Sequence, residues 1–443
     1  MFKRKIYDKL LQWKNESNGN TALLIEGARR IGKSTVAEEF AKNEYESYIL
    51  IDFSIAPKSI IELFDDISDL NYIFLQLQLQ FKVDLVERDS LIIFDEVQKC
   101  PLARQAIKHL VKDGRYDYIE TGSLISIKKN VKDIVIPSEE RKINMYPMDY
   151  EEFLWAVGDN TSYQLIKKFY DMGKPLGQQT NRKLLRDFRL YMLVGGMPQA
   201  IEEYINSYNF RKVDAVKRDI LNLYEEDFMK IDSTGRASML FDAIPAQLSK
   251  NASRYQVSSI IENIRADDLL QTFAEMKDSK TVLISYHAND PNVGMSSNKD
   301  LSKFKMFVCD TGLFTTLMFK DRDFTENEVY EKLLTDTLPT NLGYLYENVV
   351  AQILTASGNE LFYHTFMNET SRHNYEVDFL IAHKNKICPI EVKSSGYKRH
   401  ISLDLFCKKY SSRINSKYLI YTKDYMKDQD VFCLPVYMTP FIS

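Results

Sequence analysis

The chain has no apolar run approaching the roughly 18 residues that a membrane-spanning helix requires. Its cysteines (Cys100, Cys309, Cys388, Cys407 and Cys433) are odd in number and include no C-x-x-C pair. That argues against a zinc site or a disulfide framework and fits a reducing compartment, so a cytoplasmic protein with no membrane partner is expected. The six histidines include no H-E-x-x-H, which removes the metalloprotease pattern. Neither sign of charge dominates. Lys and Arg number 58 against 62 Asp and Glu, a formal net charge of −4, so the chain as a whole carries no basic signature of nucleic-acid binding. Residues 1–7 are basic but lack a following apolar stretch, contrary to a secretory leader. What remains is an ordinary soluble composition, 44% hydrophobic and 27% charged, over 443 residues. That length suggests about two to four domains, each burying its own core.

The most informative stretch present is Gly27-Ala28-Arg29-Arg30-Ile31-Gly32-Lys33-Ser34-Thr35, which fits G-x-x-x-x-G-K-[ST]. Residues 22–26 before it have the character of a short buried strand, and residues 34–41 after it that of an amphipathic helix. Glycines let the backbone turn its N–H groups inward on phosphates, and the helix N-terminus adds positive potential. ATP is the expected ligand, with Lys33 reaching its β- and γ-phosphates and the Ser34 hydroxyl on Mg²⁺. Residues 48–53 read as a second apolar strand. Leu91-Ile92-Ile93-Phe94-Asp95-Glu96 then delivers two carboxylates at the end of a buried strand, the Walker B pattern. Asp95 is expected to hold Mg²⁺ and Glu96 to polarise the attacking water. A further strand over 116–120 runs into Thr121-Gly122-Ser123. Thr121 and Ser123 are candidates for sensing the γ-phosphate, or else ordinary turn residues.

Four motifs recur in order: Phe94-Asp95-Glu96-Val97-Gln98-Lys99-Cys100-Pro101, Thr121-Gly122-Ser123, Tyr146-Pro147-Met148-Asp149-Tyr150-Glu151-Glu152-Phe153-Leu154 and Gly195-Gly196-Met197-Pro198. As a set they resemble a family of prokaryotic AAA+-type ATPases whose C-terminal half is a domain of unknown function. The resemblance implies an α/β architecture throughout. Residues 1–155 would form an AAA+-like P-loop NTPase core and 156–235 a helical lid. A winged helix would occupy 236–295, and a restriction-endonuclease-like α/β domain related to the PD-(D/E)xK nucleases 296–443. It also implies that an arginine beyond the sensor strand faces the γ-phosphate of a neighbouring subunit in a homo-oligomer. Arg141 is the candidate, although the Gly-Arg of relatives is replaced here by Glu140-Arg141. Helical spacing over 215–224 suits the lid, with Ser233-Thr234-Gly235 as a hinge. The segments 241–248, 257–261, 269–273 and 281–286 have the order of a winged helix with a short β-wing. Residues 236–290 hold six Lys/Arg against seven Asp/Glu, so protein contact suits that module as well as duplex binding does. Phe307-Val308-Cys309-Asp310-Thr311-Gly312-Leu313 reads as a strand end, a tight turn and a helix.

The C-terminal third holds a second constellation. Residues 343–354 form a strong helical pattern with an apolar stripe through Leu342, Leu345, Tyr346, Val349, Val350 and Ile353, and Glu347 at its edge. Residues 375–382 and 387–393 form two strands about a turn at His383-Lys384-Asn385-Lys386. Folded as a hairpin, they set Asp378 within about one residue of Glu391 and Lys393, which share one face. That is the D…E-x-K arrangement of the nuclease fold. Asp378 and Glu391, with Glu347 from the helix, would bind Mg²⁺ and its water, and Lys393 would position the nucleophile or stabilise the pentavalent phosphate. A structural Glu–Lys pair on a surface hairpin would look the same. Residues 384–427 hold eleven Lys/Arg against three Asp/Glu. Lys398, Arg399, Lys408, Lys409, Arg413 and Lys417 lie just beyond the site, so DNA or another nucleic acid is an expected partner. The aromatics Tyr397, Phe406 and Tyr410 suit a core as well as base stacking. The rival readings are an ATP-dependent switch or adaptor with a non-catalytic nuclease-like fold, and a kinase or small-molecule NTPase, for which no acceptor motif is evident.

Overall fold

The computed structural model describes residues 1–122, 138–250, 252–337, 343–367, 374–395 and 400–442. They divide into two units, Met1–Tyr146 with Asp278–Lys280, and Pro147–Lys277 with Thr281–Ser443.

The first unit is built on five strands, β1 (Ala22–Glu26), β2 (Ser47–Asp52), β3 (Ser90–Asp95), β4 (Asp117–Thr121) and β5 (Glu140–Asn144). They pair in parallel in the order β2-β3-β4-β1-β5. Interior parallel strands are covered on both faces, so β1, β3 and β4 are buried almost throughout and their sequences are continuous rather than alternating. Parallel pairing brings every strand's C-terminal end to one edge. The glycine-rich loop after β1, the carboxylates after β3 and Thr121 at the end of β4 therefore share that edge. Two loop glycines are required by geometry. Gly32 has φ 92°, and a Cβ on Gly27 would lie 2.4 Å from the Met145 carbonyl oxygen. The helix Lys33–Glu44 follows at once and turns Val36, Ala37, Phe40 and Ala41 inward, as the 34–41 pattern predicts.

The second unit is built on an eight-stranded mixed sheet. Its strands are β6 (Val282–Ala288), β7 (Lys299–Val308), β8 (Phe362–Met367), β9 (Asn374–His383), β10 (Lys386–Val392), β11 (Lys417–Tyr421), β12 (Met426–Asp428) and β13 (Val431–Pro435). Their spatial order is β12-β13-β11-β10-β9-β8-β6-β7. The helix Gly343–Ala356 packs on β6, β7 and β10 and buries Leu345, Tyr346, Val349, Val350 and Ile353; Leu342 lies outside the described residues.

One expected element is corrected. Residues 281–286 do not form a wing. Strand β6 is buried at all seven positions and pairs antiparallel with β7 and parallel with β8, as an interior strand of the large sheet. The helices within 156–235 group with the second unit, where Gln178–Val194 and Phe210–Ile231 pack against Thr311–Met318, and residues from Pro147 onward pack with that unit. The expected hinge is a closed turn, in which Asp232 Oδ1 accepts from the Thr234 N–H at 2.9 Å and from its hydroxyl at 2.6 Å.

The three later motifs meet inside the second unit. The fully buried Asp310 caps the helix Thr311–Met318 by accepting from the Leu313 N–H at 2.9 Å, and its other oxygen accepts from the Gly196 N–H at 2.5 Å. A Cβ on Gly312 would lie 2.5 Å from Gly195 Cα, so the two turns approach backbone to backbone. The Gly196 carbonyl accepts from the Met148 N–H at 2.7 Å, and Tyr191 donates to the Met148 carbonyl at 3.0 Å. Gln352 links Thr311 to the Tyr191 hydroxyl. Lys217, wholly buried, donates to the Leu193 carbonyl at 2.7 Å and the Gly312 carbonyl at 3.2 Å. Asp310→Ala would leave the Gly196 N–H buried without its acceptor, a loss of about 3 kcal/mol. The expected result is an earlier urea unfolding transition of the second unit. An unchanged transition would show that the clasp contributes little.

Candidate functional site

In the first unit four groups converge at the strand edge. Asp95 Oδ1 accepts from the Ser34 hydroxyl at 2.8 Å, from the Glu96 N–H at 3.1 Å and from the Thr121 hydroxyl. Lys33 Nζ donates to the Gly27 carbonyl at 3.0 Å and the Ala28 carbonyl at 2.8 Å, which sets the ammonium across the glycine-rich loop. Glu96 begins a left-handed turn at φ 51° and accepts from the Gln98 amide. A hydroxyl and a carboxylate 2.8 Å apart beside a phosphate-binding loop are the hard oxygen donors that Mg²⁺ takes. Ser123 lies outside the described residues, so Thr121 is the polar group found beside the β3 carboxylate. Arg141, expected to serve a neighbouring subunit, is held within this chain by an acidic partner. It pairs with Glu16 at 3.0 Å and stands in register with Leu23, three residues, or roughly 10 Å, short of the strand end at Glu26.

Sequence reasoning missed a buried ionic cluster in the same unit. Arg104 lies 3.0 Å from Glu140 and 3.7 Å from Glu120, the residue before Thr121. Burial, then the charge of Glu140, push the Glu120 carboxyl well above the usual range. Its signal was an arginine on the apolar face of the helix Pro101–Asp113 and a glutamate inside an otherwise buried strand.

In the second unit the β9–β10 hairpin forms about the expected turn. Its register reaches Phe379 opposite Ile390, and one further step sets Asp378 beside Glu391. Asp378 Oδ2 accepts from the Val392 N–H at 2.7 Å. Glu391 is 3% exposed; its Oε1 pairs with Lys393 Nζ at 2.8 Å, and its Oε2 has no hydrogen-bond partner among the described residues. Burial, then Asp378, push Glu391 up to about 7 against the opposing pull of Lys393. Glu347 joins a neighbouring group instead. Lys305 of β7, absent from the sequence-based set, lies 3.8 Å from Glu347 and bonds Glu376. Burial disfavours the Lys305 charge, but Glu376, Glu347 and Asp378 more than restore it and hold its pKa above the ordinary value. Glu347 is pushed up to about 7 by burial, with Lys305 opposing and Asp378 and Glu376 adding to the rise.

The expected three-carboxylate metal set is therefore corrected. Among the described residues no group of three or more His, Cys, Asp or Glu side chains is disposed to hold a metal ion. The pair Asp378 and Glu391 remains, and Mg²⁺ is commonly held by one or two carboxylates together with water. The orphaned Glu391 Oε2 is the feature that fits such an ion. The basic flank is partly neutralised, since Arg413 pairs with Asp290 and Lys417 with Asp430. Lys409 lies over the Phe366 and Tyr410 rings, Lys408 is exposed, and Tyr397, Lys398 and Arg399 lie outside the described residues. Phe406 is buried and packs with Tyr410 against His364, as core aromatics do.

Residues 19–154 match the family model of an AAA domain. That match covers about a third of the chain, includes the 27–35 loop and Asp95, and supports ATP binding there. Residues 185–323 and 342–438 match two models of domains of unknown function, DUF8612 and DUF4143. No curated protein matches the chain. Among solved structures it is similar to a Walker-type ATPase of Pyrococcus abyssi, at 17% identity over 72% of this chain and 96% of that one, with a TM-score of 0.40. It is also similar to Thermotoga maritima RuvB, a Holliday junction branch migration motor, at 11% identity over 63% and 89% of the two chains, with a TM-score of 0.29. No described helix is long and apolar enough to cross a membrane.

Two outcomes follow from this geometry. Glu96→Gln should leave ATP binding intact and lower kcat for hydrolysis by roughly 10²-fold or more, measured by filter binding and phosphate release; a kcat within twofold would remove Glu96 from the chemistry. Without divalent ions, Glu347 and Glu391 hold protons up to about pH 7 in the folded chain and release them near 4.5 when unfolded. Across that window the folded state binds more protons, so stability falls as pH rises from about 4.5 to 7. Thermal unfolding in a chelator should show this fall, and Glu391→Gln should flatten it.

Proposed function

We propose that the chain is a cytoplasmic AAA+-type ATPase whose nucleotide cycle controls a nuclease-like unit that binds nucleic acid and cleaves it with Mg²⁺. In this reading Lys33 and the 27–35 loop hold the ATP phosphates, and Ser34 and Asp95 hold the nucleotide's Mg²⁺. Glu96 orients the attacking water, Thr121 reports the γ-phosphate, and Arg141 would serve a neighbouring subunit of a homo-oligomer only after leaving Glu16. In the second unit Asp378 and Glu391 would hold one Mg²⁺, which when bound supplies a polarised water and charge for the scissile phosphate. Lys393, anchored by Glu391, would present its ammonium to the developing negative charge. The observation that carries the proposal is the buried Glu391 oxygen left without a donor beside Asp378. A buried carboxylate oxygen with no partner is costly in a finished core and is suited to a ligand that arrives later.

A second reading is favoured by one observation. Lys305 and Lys393 already supply two positive charges to the carboxylates, as a unit that only binds phosphate, or only relays a switch, would need.

The decisive experiment measures ATP hydrolysis and Mg²⁺-dependent cutting on single-stranded, duplex and branched DNA. Wild type would be run against Lys33→Ala and Glu391→Ala. Cutting that Glu391→Ala abolishes, with hydrolysis stimulated by one DNA form, is the expected result. Hydrolysis indifferent to every DNA and no cutting would leave the switch.

A further inference from the structure

We propose that Lys305 occupies the place of a second cation, so that the second unit takes one divalent ion at Asp378 and Glu391 and no other. This rests on reading that pair as a metal site, and it needs no cutting activity.

Four carboxylates, from Glu347, Glu376, Asp378 and Glu391, gather around two lysines. Like charges brought together out of water must be neutralised by a proton, a lysine or a metal. The two lysines differ in standing. The Lys393 side chain is 35% exposed and touches only Glu391 among these acids. The Lys305 side chain is 8% exposed, bonds Glu376 and lies 3.8 Å from Glu347. Its backbone is fixed by β7, where Lys305 pairs with Ser285 of β6. A divalent ion shared by Glu347 and Glu376 would have to displace Lys305 Nζ from its carboxylate partners, and the buried ammonium would then lack a counter-charge. The unpartnered oxygen is on the other side of the group, at Glu391. One ion's worth of demand is left, and it is there.

The test counts ions rather than turnover. The nucleotide-free full-length chain is titrated with Mn²⁺, read by calorimetry and by the loss of the free Mn²⁺ paramagnetic resonance signal. Wild type should take up one Mn²⁺ that Glu391→Gln loses, and Lys305→Gln should take up two. Two ions in wild type, both dependent on the second-unit carboxylates, would overturn the inference and leave the metal reading standing. No ion in wild type or in Lys305→Gln would overturn both. A folded Lys305→Gln that still binds one ion would overturn the role given to Lys305. If Lys305→Gln fails to fold, Lys305→Arg and the wild-type count decide: one ion in each supports the inference, and two in either overturns it.

Discussion

A carboxylate taken out of water must find donors, and in the second unit that requirement is met at Asp310 by reaching across 114 residues to the Gly196 N–H. The same side chain closes the first turn of its own helix. Because Gly195 and Gly312 let the two turns touch, the helix that ends at Val194 and the helix that begins at Thr311 are held at a fixed spacing. The helix Gly343–Ala356 then locks onto the same place through Gln352 and Asn348, the latter bonding both backbone groups of Val308. That helix in turn packs on β6, β7 and β10. Asp310 is thus the point at which the helices and the sheet of this unit are tied together.

Three buried carboxylates among the described residues show a contrast. Asp310 accepts from two backbone N–H groups, and Asp95 accepts three donors on one oxygen. Glu391 has one oxygen on Lys393 and the other on nothing among the described residues. Hydrogen-bond satisfaction sets Asp310 and Asp95 apart from Glu391; Glu120, whose oxygens also lack a hydrogen-bond partner, lies beside the Arg104 guanidinium instead. The glycines and aspartate of the later motifs, which look chemical when seen in a row, fall on the satisfied side of that contrast. A Cβ at Gly196 would meet the Met148 carbonyl oxygen at 2.2 Å, so backbone packing alone accounts for that glycine.

What was legible in the sequence was what short range determines. The phosphate loop, its strand and its helix are contiguous, and β3 announces itself by six buried residues ending in Asp95. The β9–β10 hairpin is readable because a four-residue turn fixes its register, which is why Asp378 is expected within about one residue of Glu391 and Lys393. Long range defeated the rest. Residues 281–286 read as a short β-wing, yet nothing within them says whether they pair as a wing or enter a sheet with β8, some 75 residues on. Arg104 and Lys305 drew no reading from the sequence, because their partners Glu140, Glu347 and Glu376 lie 36, 42 and 71 residues away. A charged residue in the middle of a buried pattern was the available clue in both cases.

Burial also ranks the lysines that surround the second-unit carboxylates. A buried ammonium held by two acids cannot exchange partners without passing through an uncompensated state, which low local dielectric makes costly. Lys305 is in that position, so it acts as a permanent part of the scaffold's charge. Lys393 is a third exposed and bound to a single carboxylate. In the proposed reading it would trade Glu391 for an incoming phosphate oxygen, and the Glu391 it released is the residue whose second oxygen already lacks a donor. A phosphate arriving at Lys393 and a cation arriving at Glu391 would therefore each relieve the charge that the other leaves behind.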